Sequence, residues 1–293
     1  MTDVLESLFA GVTHTLQHVM GMRILYVAFV FAILFLVLRM VRAMREGRAF
    51  DLSLLNPHRG VSRSVAQNIL LAFLNSLPFN ALFGGVFIVL DGVWAKGLGL
   101  EPVPVLSTAP IWVAVPALLL LMDFTNYWSH RLLHTSWQWP VHSLHHSDVH
   151  MNATTASRIH FLEAIQMALV ALAITGWMEL PTAAGALAVL IRVNWSAYTH
   201  SGLKLDHGRF RKWLVSPNYH SWHHADDPEV YGKNLADMFP LWDLAFGTHH
   251  DPGWCDIPMG VSDVPDDVIE GQLHPFRRLL ATAKAKAKRP ASA

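Results

Sequence analysis

Residues 109–134 read APIWVAVPALLLLMDFTNYWSHRLLH. From Ala109 to Trp128 the run is apolar over about 20 residues, the length a helix needs to cross the hydrocarbon core of a bilayer. It passes without a break into SHRLLH, where the i, i+4 spacing of His130 and His134 stacks both imidazoles on one helical face. A membrane helix that ends in two imidazoles predicts an all-α, multi-span membrane bundle with a helical cap at one bilayer face.

Three further apolar regions flank this one. The unbroken stretch from Ile24 to Leu38, bracketed by Arg23 and Arg39, reads as a retained span. A cleavable signal peptide fits poorly, because Arg39, Arg42, Arg45 and Arg48 stand where a small-residue cleavage site belongs. Ile69 to Val93 is a second region, which Pro78, Asn80, Gly84 and Gly85 can break into a re-entrant hairpin. Phe161 to Thr199 is long enough to cross twice with a turn at Glu179 to Thr182. The count is five crossings, with four or six as alternatives. Arg42, Arg45, Arg48, Arg59 and Arg63 crowd the first loop while the next carries only Lys96, so the first span runs outside to inside. The basic residues Arg209, Arg211, Lys212 and Lys284 to Arg289 independently place the C-terminal part inside.

Composition agrees. Of 293 residues 52% are hydrophobic and only 15% charged, against roughly 25% charged in an average soluble domain. Lys plus Arg equals Asp plus Glu at 22 each, so no net field attracts polyanions and no nucleic-acid partner is expected. A single cysteine, Cys255, excludes internal disulfides, CxxC zinc sites and iron–sulfur clusters. Any metal must be held by imidazole and oxygen.

Imidazole is abundant: the chain has 18 histidines. Beyond His130 and His134 they cluster as HSLHH, giving His142, His145 and His146, and as HSWHH, giving His220, His223 and His224; His200 closes the segment NWSAYTHSG. HxxxH alone carries little weight, since His14 and His18 repeat it in an unremarkable amphipathic segment. At this histidine frequency one HxxHH arises by chance roughly once in fifteen such sequences and two roughly once in several hundred. Eight or nine imidazoles exceed what one ion takes, so two metal ions of the iron, copper, nickel or zinc class are the natural count. An HExxH zinc hydrolase is disfavoured because no glutamate stands in that register, and a haem-thiolate centre because Cys255 lies in GWCDIP without a haem-binding segment. Polar residues gathered at span ends are the bland alternative, which predicts scattered positions rather than two repeated boxes.

The ordered series DFTNYWSHRLLH, VHSLHHS, TASRIHFLE, SPNYHSWHH and LWDLAFGT resembles the fatty acid hydroxylase and sterol desaturase superfamily of integral membrane di-iron oxygenases. The resemblance covers roughly residues 110 to 250. It implies two iron ions facing the cytosol, O2 as co-substrate, and hydroxylation or desaturation of an unactivated C–H bond in a fatty acyl, alkyl-lipid or sterol substrate. Its histidine boxes fall on His130 and His134, on His142, His145 and His146, and on His220, His223 and His224, with His200 matching an additional histidine between the last two boxes. Two departures stand out. The Asn-Tyr-Gly triplet is here Val230-Tyr231-Gly232, and the arginine-histidine-proline motif is Arg158-Ile159-His160-Phe161.

Residues around the ligands follow from spacing. Asp123, Tyr127, His130 and His134 share one helical face, so Asp123 is expected to accept the free N–H of a ligand imidazole, the alternative being an interfacial acid that meets water, with Tyr127 as a further residue around the metals and His160 either beside them or a hydrogen-bonded core histidine. The chain divides into a membrane region 1–108 of two spans or one span plus a hairpin, an oxygenase core 109–250, and a cytosolic tail 251–293. Reducing O2 takes two electrons, and the chain shows no redox cofactor of its own besides the metals. An external donor is therefore expected, a small cytochrome or a ferredoxin with its reductase. The membrane is expected to be a bacterial inner membrane rather than the endoplasmic reticulum, with the site on its cytosolic side. Two rival readings remain: a zinc- or iron-binding membrane protein without oxygenase activity, and a zinc-dependent membrane hydrolase.

Overall fold

The computed structural model describes residues 64–75, 103–175, 178–179, 182–261, 264–265 and 268–287. In chain order these form α1 (Ser64–Asn75), the two-residue strand β1 (Val103–Pro104), α2 (Ile111–Leu133), α3 (Trp139–His146), α4 (Phe161–Thr175), β2 (Met178–Glu179), α5 (Thr182–Thr199), α6 (Pro217–His224), α7 (Leu241–Phe246) and α8 (Val268–Ala287). Helix dominates because the sequence is built of apolar runs at helical length. The span expected at residues 24–38, most of the region 69–93, the arginine-rich stretch 42–63, Lys96, and His14 and His18 lie outside the described residues. The chain separates into two units, 1–56 and 57–293, and every described residue belongs to the second.

Helix α2 is the central element. Its 23 residues make it, among the described residues, the one helix long and apolar enough to cross a membrane. The helix continues past Trp128 through the first box, so the apolar run and His130 share one rigid rod. Ala114, Val115, Leu118 and Leu119 of α2 pack against Ala184 and Ala188 of α5 and against Met238. Two alanines four residues apart form a shallow face that lets the helices approach closely, the packing that holds helices together where lipid removes the hydrophobic driving force. Elsewhere α2 exposes Ile111, Trp112, Leu120, Trp128 and Leu132, as a lipid-facing helix does.

The second apolar hairpin comes as two helices, α4 and α5, separated near Met178–Glu179, where β2 pairs in parallel with β1 at the entrance to α2. At 1.5 Å per residue α4 and α5 reach about 22 and 27 Å, against the ~30 Å of a bilayer core. A polar bridge ties α5 to α2: Arg192 donates to Asn126 Oδ1 at 2.8 Å and pairs with Asp237 at 3.3 Å.

The residues after 250 were expected to form a tail. Instead Gly253 O accepts from Asn218 Nδ2 and Trp222 Nε1, Cys255 N donates to Asn218 Oδ1, Ala225 bridges to Met259, and Val261 N donates to His146 O. Residues 251–261 are therefore built into the core beside the histidine helices. Gly260 makes this approach possible, with φ +95° and no Cβ to collide with the Val149 backbone.

Candidate metal centre

Two short helices explain the repeated box. α3 and α6 are eight residues each, barely two turns, so HxxHH at i, i+3, i+4 sends all three imidazoles off a single face. α6 starts on Ser216, whose side chain accepts from Tyr219 N at 3.1 Å, with Pro217 at the first helical position; all eight of its residues are buried. A helix this short has little stability of its own, so its burial and cap define it.

The nine histidines fall into two groups. His130, His134, His142, His146 and His223 form one, and His145, His200, His220 and His224 the other, with the candidate ligand atoms in each within 4.8 Å of one another. Each HxxHH helix serves both. From α3 the i, i+4 pair His142 and His146 enters the five-histidine group and His145 the other; from α6 the pair His220 and His224 enters the four-histidine group and His223 the first. The rings of His146 and His224 stack at 4.5 Å across the boundary.

The hydrogen bonds fix which nitrogen faces inward. His130 Nδ1 meets Leu235 O at 2.8 Å, His223 Nδ1 meets Lys233 O at 2.8 Å, His145 Nδ1 meets Arg158 O at 3.3 Å, and His200 Nδ1 meets Ser196 O at 2.7 Å. A carbonyl only accepts, so each Nδ1 carries the proton and each Nε2 a lone pair. His142 Nδ1 donates in the same way to the buried carboxylate of Glu163 at 3.0 Å. Yet His130 Nε2 and His142 Nε2 lie 3.0 Å apart, and His145 Nε2 and His200 Nε2 3.1 Å apart. Lone pairs at that separation repel unless a cation lies between them. His134, His223 and His224 also bury Nε2 with no hydrogen-bond partner, a costly arrangement unless a metal takes the lone pair. The donor set fits metal ions in both groups. Burial, reinforced by neighbouring imidazoles, holds His134, His142, His145, His146, His220, His223 and His224 well below the ordinary imidazole value, so all seven are in the neutral form that a metal ion requires.

The supporting residues differ from the sequence expectation. The Asp123 carboxylate meets main-chain amides rather than an imidazole: Oδ1 accepts from Asp237 N and Met238 N, and Oδ2 from Phe239 N. Tyr127 OH bonds Thr248 Oγ1 and accepts from Arg131. His160 donates Nε2–H to Gln272 O at 2.8 Å and accepts Leu162 N at Nδ1, so both ring nitrogens are used by main chain and neither reaches a group. The acid that does touch one of the nine histidines is Glu163, at His142. An acid inside an apolar run was the available sign, but at the first turn of α4 an acid is also ordinary helix chemistry.

Helix α1 supports the other group. Ser64 and Asn68 donate to Asp148, which also accepts from Thr155; Asn75 donates to Ile159 O, and Arg158 reaches Gln67 and Asn68. The segment carrying the Arg158 carbonyl, on which His145 rests, is thereby fixed to α1.

Residues 115–248, which include all nine histidines, match the fatty acid hydroxylase family. This stretch is similar to a fatty acid hydroxylase domain. It is 29% identical over 135 residues to alkylglycerol monooxygenase of Xenopus tropicalis, covering 43% of this chain and 28% of that protein. It is 27% identical over 166 residues to alkylglycerol monooxygenase of Danio rerio, covering 56% and 33%. Very-long-chain aldehyde decarbonylase GL1-11 of Oryza sativa subsp. indica is 31% identical over 160 residues, 48% of this chain and 56% of that protein. The chain thus spans about a third or less of the alkylglycerol monooxygenases it matches. No solved structure matches it.

Proposed function

We propose that the protein is an integral membrane, non-haem di-iron oxygenase that hydroxylates or desaturates a lipid at an unactivated carbon. The observation that carries this reading is the sharing of both HxxHH helices between two groups of inward-facing, proton-free imidazole nitrogens. Iron held there supplies the reduction of O2 and the oxidation of a C–H bond. The chain's own residues hold the ligating nitrogens unprotonated, fix five of the rings through Nδ1–H bonds, and bury the site among α2, α3, α6 and the segment after residue 250, which excludes water.

The membrane reading is supported by α2, by the apolar runs beyond the described residues and by the arginine-rich first loop; in it the histidines face the cytosolic side of a multi-span bundle. Electrons come from an external donor, a small cytochrome or a ferredoxin with its reductase. The relatives are named for alkylglycerols and very-long-chain aldehydes, so long-chain alkyl and acyl lipids are the first substrates to test. Comparing lipid extracts of cells lacking and overproducing the protein tests the proposal. A lipid gaining one oxygen or losing two hydrogens in step with protein level supports it, and unchanged lipid profiles contradict it.

A further inference from the structure

Five consecutive peptide amides, from Leu235 to Phe239, donate to just two buried carboxylates. Asp243 accepts Leu235 N at 2.7 Å and Ala236 N at 3.1 Å; Asp123 accepts Asp237 N at 3.1 Å, Met238 N at 2.9 Å and Phe239 N at 2.8 Å. The carboxylates come from different helices, α7 and α2, and are 0% and 1% exposed. Just before this run stands Asn234, fully buried in the left-handed region at φ +54°. Its side chain is clamped, Nδ2 donating to Tyr219 O and His250 O, and Oδ1 accepting from His250 N. The two carbonyls flanking Asn234 are those of Lys233 and Leu235, which accept from His223 and His130.

Both of those histidines belong to the five-histidine group. In the four-histidine group His145 and His200 rest instead on Arg158 O and Ser196 O, neither of which belongs to this segment; its tie to the helix carrying Ser196 is the Asp237–Arg192 pair and the packing of Met238. We propose that residues 233–239 are a bracket that positions the metal of the five-histidine group directly, through His130 and His223, with Asp123, Asp243 and Asn234 as its positioning residues. The inference rests on the reading that each group binds one metal ion. A carbonyl that accepts an imidazole N–H sets the ring's tautomer and angle, so a displaced bracket misaims His130 and His223 together. Asp123 carries a second constraint, since it lies seven residues before His130 on the rod of α2.

Metal content of the purified full-length protein, reconstituted with ferrous iron in detergent, tests this without reference to turnover. The wild type is expected to hold two ions per chain. Asp243→Asn and Asp123→Asn each place an amide NH2 where a main-chain donor must be accepted, and each is expected to hold about one. Asn234→Gly keeps the positive φ and removes only the side-chain clamp, so it carries the test if the aspartate variants do not fold. In that background His220→Ala is expected to remove the remaining ion, and His134→Ala to remove nothing further. Retention of two ions in folded Asn234→Gly overturns the bracket, and so does loss of both ions together. A wild type that binds no metal overturns the functional reading, and the bracket with it.

Discussion

At the scale of single residues, a histidine ligates well when its second nitrogen is anchored, and here the anchors are mostly carbonyls. His223→Ala and His145→Ala each empty a position in a different group, so each is expected to abolish turnover and lower bound metal. His160→Gln, whose side chain meets only main chain, is expected to keep its metal; metal analysis and turnover of the three variants check this. Glu163→Leu keeps roughly the size of the side chain but removes the oxygen that meets His142 Nδ1, and is expected to reduce metal affinity or turnover by roughly ten- to a hundredfold, the range for lost partners of a ligating imidazole; a metal titration reads it. The gathering of the histidines was legible because HxxHH is a local pattern that one helical turn converts into geometry. Asp123 was legible as a buried acid, but its partners were not: they are amides 114 to 116 residues further on, and a main-chain amide leaves no mark in sequence. Glu163 could have been singled out by the same rule that picked Asp123.

The elements divide in the same way. The apolar run at 109–128 shows where α2 lies, and the structure extends it to Leu133 because SHRLL has nothing to stop a helix. The turn expected at 179–182 corresponds to the separation of α4 from α5. The packing of residues 251–261 was illegible, because its hydrogen bonds run from loop backbone to Asn218, Trp222 and His146, with no periodicity to betray them. α6 shows how thin the margin is: eight residues carry three of the nine grouped histidines. Ser216→Ala removes the oxygen that accepts Tyr219 N and is expected to cost about 1 kcal/mol. A thermal melt in detergent should show the loss, with iron release from the variant preceding that from the wild type.

For the whole molecule, burial of so many neutral imidazoles makes metal retention a matter of pH. The buried box histidines have their affinity for protons lowered, with burial the leading cause and the neighbouring imidazoles adding to it. Above the ordinary imidazole value of about 6.5 native and unfolded chains are both unprotonated there, and stability is independent of these groups. As pH falls below it, the unfolded chain takes up protons that the native site refuses, so stability and bound metal are expected to be lost progressively. Dialysis at pH 7.5, 6.5 and 5.5 followed by metal analysis checks the direction; retention unaffected by acid would mean that these histidines do not hold the metal. The account as a whole turns on the identity of that metal and its reaction with oxygen. The most direct measurement is metal analysis of the purified membrane protein combined with O2 uptake in the presence of a reductant and a long-chain lipid. Two irons per chain with reductant-dependent O2 consumption is the predicted result; zinc in the same positions with no O2 uptake would contradict it and favour a hydrolytic or non-catalytic metal protein.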